Sequence, residues 1–217
     1  MADFTREEIE AVVKGSRKIR GANLAGIDLS GADLSWAYLH EADLREADLS
    51  GAKLFGTNLI WADLRNANLR EAQLQGAFLH WADLRRANLR EADLRGADVH
   101  EANLQQAYLL GAFLYKTGLR KANLREADLS GAKLFGTNLN YADLRNAKLL
   151  LADLSGAYLH EANLQDANLR GADLSGAKLT DADLSGAKYY AETKWPEDFD
   201  PEAAGAVLVE ADGDERY

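Results

Sequence analysis

Leucine recurs at every fifth residue: each position ending in 4 or 9 from Leu24 to Leu184 is Leu, with Val99 the one exception. Two residues before each stands Ala, replaced only at Ile27, Thr57, Thr117 and Thr137. Between them lies most often Asp or Asn, and two variable residues complete the unit. A period of five fits neither the 3.6 residues of an amphipathic helix nor the two of a flat strand. An extended trio that turns Ala and Leu to one face and the residue between them to the other satisfies strand alternation. The two remaining residues must then make a corner.

Four such sides close a coil of about twenty residues, and coils of this kind stack through backbone hydrogen bonds about 4.8 Å apart. A longer repeat agrees with four sides. The stretch from Asp48 to Leu59 returns unchanged from Asp128 to Leu139, a shift of four whole coils. Between Gly21 and Lys188 the chain resembles the pentapeptide-repeat family, whose motif is A(D/N)LXX. The resemblance implies an all-β solenoid, a right-handed quadrilateral β-helix of about eight coils. The closing run Lys194-Trp195-Pro196-Glu197-Asp198-Phe199-Asp200-Pro201 is similar to tails of cyanobacterial members.

The ends of an open β-helix expose unpaired backbone groups that need covering. Thr5 with Glu8 reads as a capping box ahead of Ile9, Val12 and Val13, which predicts a short helix ending near Gly15 across the first coil. At the other end Asp200-Pro201 reads as an N-cap and first helical residue, with Trp195 and Phe199 plugging the last coil. The organisation expected is an N-terminal capping helix in residues 1–20, a repeat body in 21–190, and a C-terminal cap with an acidic tail in 191–217. The segment from Asp212 to Arg216 is expected to lack order.

Net charge is −10, yet residues 21–188 hold 22 acids against 18 bases, while residues 189–217 hold 9 against 2. Some members of the family protect DNA gyrase by imitating duplex DNA, which makes a gyrase or topoisomerase modulator the alternative reading. B-DNA carries one negative charge per about 1.7 Å of axis, so a mimic about 40 Å long requires a net charge near −23. The repeat body, at −4, falls several-fold short. With no Cys, disulfides and thiolate chemistry are excluded. No apolar run approaches about 18 residues and no signal-peptide core is present. A cytoplasmic protein with no membrane association is expected.

Residues twenty apart stack, so each column reads as a surface ribbon. Arg45, Arg65, Arg85, Gln105, Arg125 and Arg145 run beside Asp43, Asp63, Asp83, Asn103, Asn123 and Asp143. The two ladders neutralise each other, which speaks against nucleic-acid binding. Two corner columns are rich in Gly, predicting type II turns there and another turn type at the remaining corners.

Aromatic residues mark one side. Tyr38, Phe78 and Tyr158 share an outward column; Trp61, Trp81 and Tyr141 hold the adjoining corner; Phe55, Tyr115, Phe135 and Trp36 lie across the preceding corner; Tyr108 and Phe113 stand elsewhere. His40, His80, His100 and His160 form one column inside the same patch. Cross-strand stacking accounts for part of this pattern, but an apolar strip on a polar rod is also what a docking face looks like. His80 and His100 are direct neighbours; only Glu101 stands near to add a donor, so surface histidines rather than a metal site are expected. Acids repeated outward on a convex, filled rod form no desolvated pocket, and no phosphate loop, nucleophile elbow or HExxH is present. The expectation is a non-enzymatic scaffold without cofactor. Binding of a protein partner, or of a second copy, is expected through Trp36, Tyr38, His40, Trp61, Phe78, His80, Trp81, His100, Tyr141, Tyr158 and His160.

Overall fold

A computed structural model describes residues 4–210; the segment from Asp212 to Arg216 lies outside the described residues. Parallel bridges join Lys18 to Tyr38, Asn23 to Asp43, Asp28 to Asp48 and onward to Asn168 with Lys188, every pair twenty residues apart. Each turn of chain therefore lies in register on the next. The strands expected along each side shrink to single bridged residues, because a three-residue side offers only its middle residue to a ladder.

Four of the five backbone N–H groups in a unit are taken by backbone carbonyls. In Ala47 to Gly51, Ala47 N–H closes the corner onto Leu44 O at 3.1 Å. Asp48 N–H donates back to Ile27 O, while Leu49 and Gly51 donate forward to Asn68 O and Arg70 O. The fifth, Ser50 N–H, is taken by a side chain, Asp48 Oδ1 at 2.9 Å. The same bond recurs from Ser30 to Asp28, Arg65 to Asp63, Gln105 to Asn103 and Ser185 to Asp183. Asp and Asn are the side chains short enough to accept from a backbone two residues on. Their dominance at this position thus has a backbone cause that alternation alone does not reveal.

The corners correct an expectation. The second residue of every corner has positive φ, whether glycine, as at Gly51 (63°), or not, as at Trp61 (58°), Glu91 (57°) and Leu151 (57°). With the Leu-to-Ala hydrogen bond across each corner and positive φ at its third residue alone, all sides carry the type II signature. The Gly-poor columns do not use another turn. The cooperative ladder on both flanks holds ordinary residues in a conformation that disfavours them by about 1–2 kcal/mol.

Leu and Ala fill the interior as one buried cluster reaching from Ile9 to Ala206. Thr57, Thr117 and Thr137 enter this core by donating their hydroxyls to Leu34 O, Leu94 O and Leu114 O at 2.9, 2.8 and 2.6 Å. They bond to backbone and not to one another. At the N-terminus, helix α1 (Arg6–Lys14) starts at Thr5, whose Oγ1 accepts from Glu8 N–H while Thr5 N–H donates to Glu8 Oε2. Ile9 and Val13 on its buried face join the core cluster.

At the C-terminus the period lengthens by one: Asp173 bridges Lys194, 21 residues on. Strand β1 (Lys188–Tyr189) pairs in parallel with β2 (Val207–Leu208). Thr193 takes an Ala place, donating to Leu169 O at 3.1 Å. Trp195 stacks on Phe199 and meets Tyr189 edge-on, and both Trp195 and Phe199 pack against the core. The helix expected from Asp200-Pro201 is instead a turn over residues 201–205. Asp200 Oδ1 accepts from Glu202 and Ala203 N–H as a cap does, but the chain then leaves to form β2 with β1.

Candidate functional site

In-register parallel stacking puts identical columns of side chains one above another, so the chemistry of a face is set by residues twenty apart. On the aromatic side the rings of Trp61 and Trp81 stack with centroids 4.9 Å apart and planes 15° from parallel. Trp81 Nε1 donates to Glu101 Oε2 at 2.9 Å, and Lys121 Nζ reaches Glu101 Oε1 at 3.5 Å. That indole bond chiefly, with the charges of Lys121 and His100, holds the Glu101 carboxyl below its ordinary value despite some desolvation. Exposure of Trp61 is 57% and of Trp81 39%.

Beside this pair the imidazoles of His80 and His100 stack at 4.8 Å and 11°. Trp81 meets both edge-on, at 4.7 and 5.5 Å. Tyr141 and His160 form a separate edge-on pair at 5.5 Å, with Arg120 over the Tyr141 ring. Trp36 is exposed, its ring lying over Gly56. Tyr38, Phe78 and Tyr158 are exposed in the outward column, spaced by Asn58, Asp98, Gly118 and Asn138. His40 is half-buried, and its Nδ1 lacks a hydrogen-bond partner. The side therefore carries islands rather than one sheet of rings: Trp61, His80, Trp81 and His100 come together, Tyr141 with His160 follows, and Trp36 stands apart.

Two features escape a search by aromatic residues. Leu110 and Leu151 are exposed, as is Tyr108, away from this side, scattered apolar positions that aliphatic residues hide. Asp98, two residues before His100, spans the Nδ1 edges of both stacked imidazoles, with Oδ1 2.5 Å from His100 Nδ1 and Oδ2 3.5 Å from His80 Nδ1. The column reading brought only Glu101 to these histidines. A bridged residue two positions earlier on the same side was the available signal.

Four arginines of the ladder are neutralised within their own rungs, whereas Arg125 follows the uncharged Asn123. Arg45, Arg65, Arg85 and Arg145 each hold the Asp two residues before through Nε and Nη2, at 2.5–2.8 Å for Arg65 and Asp63. Asp43 is kept below its ordinary pKa, by Arg45 first. An open depression lined by Arg65, Arg85, Arg86 and Gln105 sits on this ribbon, but Arg65 and Arg85 already spend their charge on Asp63 and Asp83. Among the described residues no helix is long and apolar enough to cross a membrane.

The chain matches the family described as pentapeptide repeats over residues 18–54, 52–90, 82–117, 117–149 and 152–188. Among solved structures, it is 38% identical to HetL, a pentapeptide repeat protein involved in heterocyst differentiation regulation from the cyanobacterium Nostoc sp. strain PCC 7120. That alignment covers 85% of this chain and 96% of HetL, with a TM-score of 0.40. A second Nostoc PCC 7120 pentapeptide repeat protein, alr5209, is 37% identical over 48% of this chain and 86% of its own, with a TM-score of 0.47. QnrB1, a plasmid-mediated fluoroquinolone resistance protein, is 20% identical over 88% and 84%, also with a TM-score of 0.47. No curated protein matches.

Proposed function

Because this chain belongs to the pentapeptide repeat family, we propose that it is a non-enzymatic scaffold, a right-handed quadrilateral β-helix that offers its aromatic and histidine side to a protein partner. The observation that supports this reading most is the exposed Trp61–Trp81 stack. Large flat indoles left in water, rimmed by Glu101 and Lys121, have the composition of an interface centre with its polar rim. The self-pairing of Asp43, Asp63, Asp83 and Asp143 with arginines weighs against a DNA-like surface. The working location that goes with this reading is the cytoplasm.

The test is quantitative capture of partners by the full chain, the Trp61→Ala plus Trp81→Ala variant, and Leu151→Ala on the far side, with sedimentation of each to score self-association. Loss of capture or of self-association in the double variant alone is the expected result. Equal recovery by all three would make the indoles structural. Inhibition of gyrase supercoiling by the intact chain would favour the DNA-mimic alternative instead.

A further inference from the structure

We propose that His80, Asp98 and His100 form a binding site for a divalent late transition-metal ion, of the copper, nickel or zinc class. It is independent of the docking role above. Three potential donors, one from each residue, lie within 4.8 Å of one another. Donors on such an ion, at about 2.0–2.2 Å from it, stand roughly 3–3.5 Å apart, and His80 Nδ1 is 3.5 Å from Asp98 Oδ2.

His80 Nδ1 carries the argument. The atom is buried from solvent and has no hydrogen-bond partner, and the group it faces is a carboxylate. A neutral imidazole directing a lone pair at Asp98 is repelled, while one directing an N–H finds its acceptor too far for a hydrogen bond. A cation between the two resolves both problems, and so does a second ring proton; the metal titration below separates the two. His100 is held ready by the same carboxylate, its Nδ1 being 2.5 Å from Oδ1, a contact that metal coordination replaces while the ring proton moves to Nε2. The stacked rings are fixed edge-on by Trp81, so both are oriented before an ion arrives.

Gly118 adds a separate observation. It follows Asp98 in the outward column, where most coils carry a side chain. Even a Cβ there would meet Asp98 Oδ1 at 3.6 Å. The carboxylate is thereby left uncovered on the neighbouring coil, the side from which an ion and its remaining water ligands can approach. Two imidazoles and one carboxylate suit copper, nickel and zinc, with copper(II) bound tightest. The other histidines lack this set: His160 Nδ1 meets Thr180 O and its Nε2 meets Glu161.

Titration of the full chain with Cu²⁺, Ni²⁺ and Zn²⁺ near neutral pH, followed by calorimetry and tryptophan emission, tests the site. The expected result is one saturable ion per chain, with copper quenching Trp81 beside the imidazoles. Affinity should fall at least tenfold in His80→Ala, Asp98→Ala and His100→Ala and stay unchanged in His160→Ala. Thermal unfolding checks that each variant is folded. Ni²⁺ broadening of the His80 and His100 ring resonances in the unmodified chain locates the ion without substitution. Absence of saturable uptake, uptake unchanged by Asp98→Ala, broadening centred on His160, or a His80 resonance that responds to protons and not to metal would overturn the assignment.

Discussion

Trp36 lays its six-membered ring over the α-carbon of Gly56, so that a Cβ at position 56 would stand 2.2 Å from Cζ3 and 2.4 Å from Cε3 of the indole. Gly76, next in the column, has φ of +64° and nothing within 4 Å of an added Cβ. Alanine at either position meets the same backbone penalty, about 1 kcal/mol once the stiffer unfolded chain is allowed for. Gly76→Ala should therefore lose about that much stability in urea unfolding. Gly56→Ala should lose slightly more, since an exposed indole can swing away. In Gly56→Ala alone the Trp36 indole N–H resonance should shift. An unmoved resonance would mean that the ring does not rest there in solution.

The repeat's Asp and Asn residues make a second expectation. Asp33 Oδ1 accepts the Ser35 N–H at 3.1 Å, a bond that Asn can keep and Ala cannot. Asp33→Ala should lose about 0.5–1 kcal/mol, the low end for a hydrogen bond open to water, and Asp33→Asn less than half of that. Charge adds a pH signature. The Ser35 hydroxyl first and its N–H second lower the Asp33 carboxyl. Ser185 does the same to Asp183, and Arg45 lowers Asp43. A carboxyl depressed in the folded state stabilises it above the unfolded value of about 3.9, and that gain vanishes as pH falls through the folded value. Thermal midpoints should drop below about pH 4. The drop should be shallower in Asp33→Asn plus Asp183→Asn, and equal acid slopes in both proteins would refute the linkage.

Period, register and interior were legible because they follow from composition at fixed spacing: Leu and Ala every five residues leave one way to bury both, and Thr5 with Glu8 announces α1. The corners were not. Glycine preference suggested two kinds of turn, yet Trp61 and Glu91 hold the same positive φ as Gly51, since a ladder bonded above and below outweighs the preference of one residue. The C-terminal turn at residues 201–205 was misread for a related reason: Asp200 supplies a cap, but pairing of Val207 with Lys188 claims the chain before a helix can extend. At the candidate site, columns brought out Trp61 over Trp81 and His80 over His100. Asp98 was hidden because it reaches them diagonally.

The Trp61–Trp81 stack separates a stabilising role from a binding one. Offset or parallel aromatic pairs contribute about 0.5–1.5 kcal/mol beyond burial, so a double-mutant cycle on Trp61→Ala and Trp81→Ala should show coupling of that size by urea unfolding. Trp81→Ala should cost more than Trp61→Ala, because it also removes the donor to Glu101 at 2.9 Å. Trp81→Phe, which keeps a ring and loses that donor, should fall between the unmodified chain and Trp81→Ala. Coupling under about 0.3 kcal/mol would mean that the rings are not stacked in solution. With coupling in the expected range, the folded fraction of the double variant at working temperature stays high, because its losses are surface losses on a body whose Leu core is untouched. Any loss of partner capture by that variant then belongs to the missing indole surface and not to unfolding.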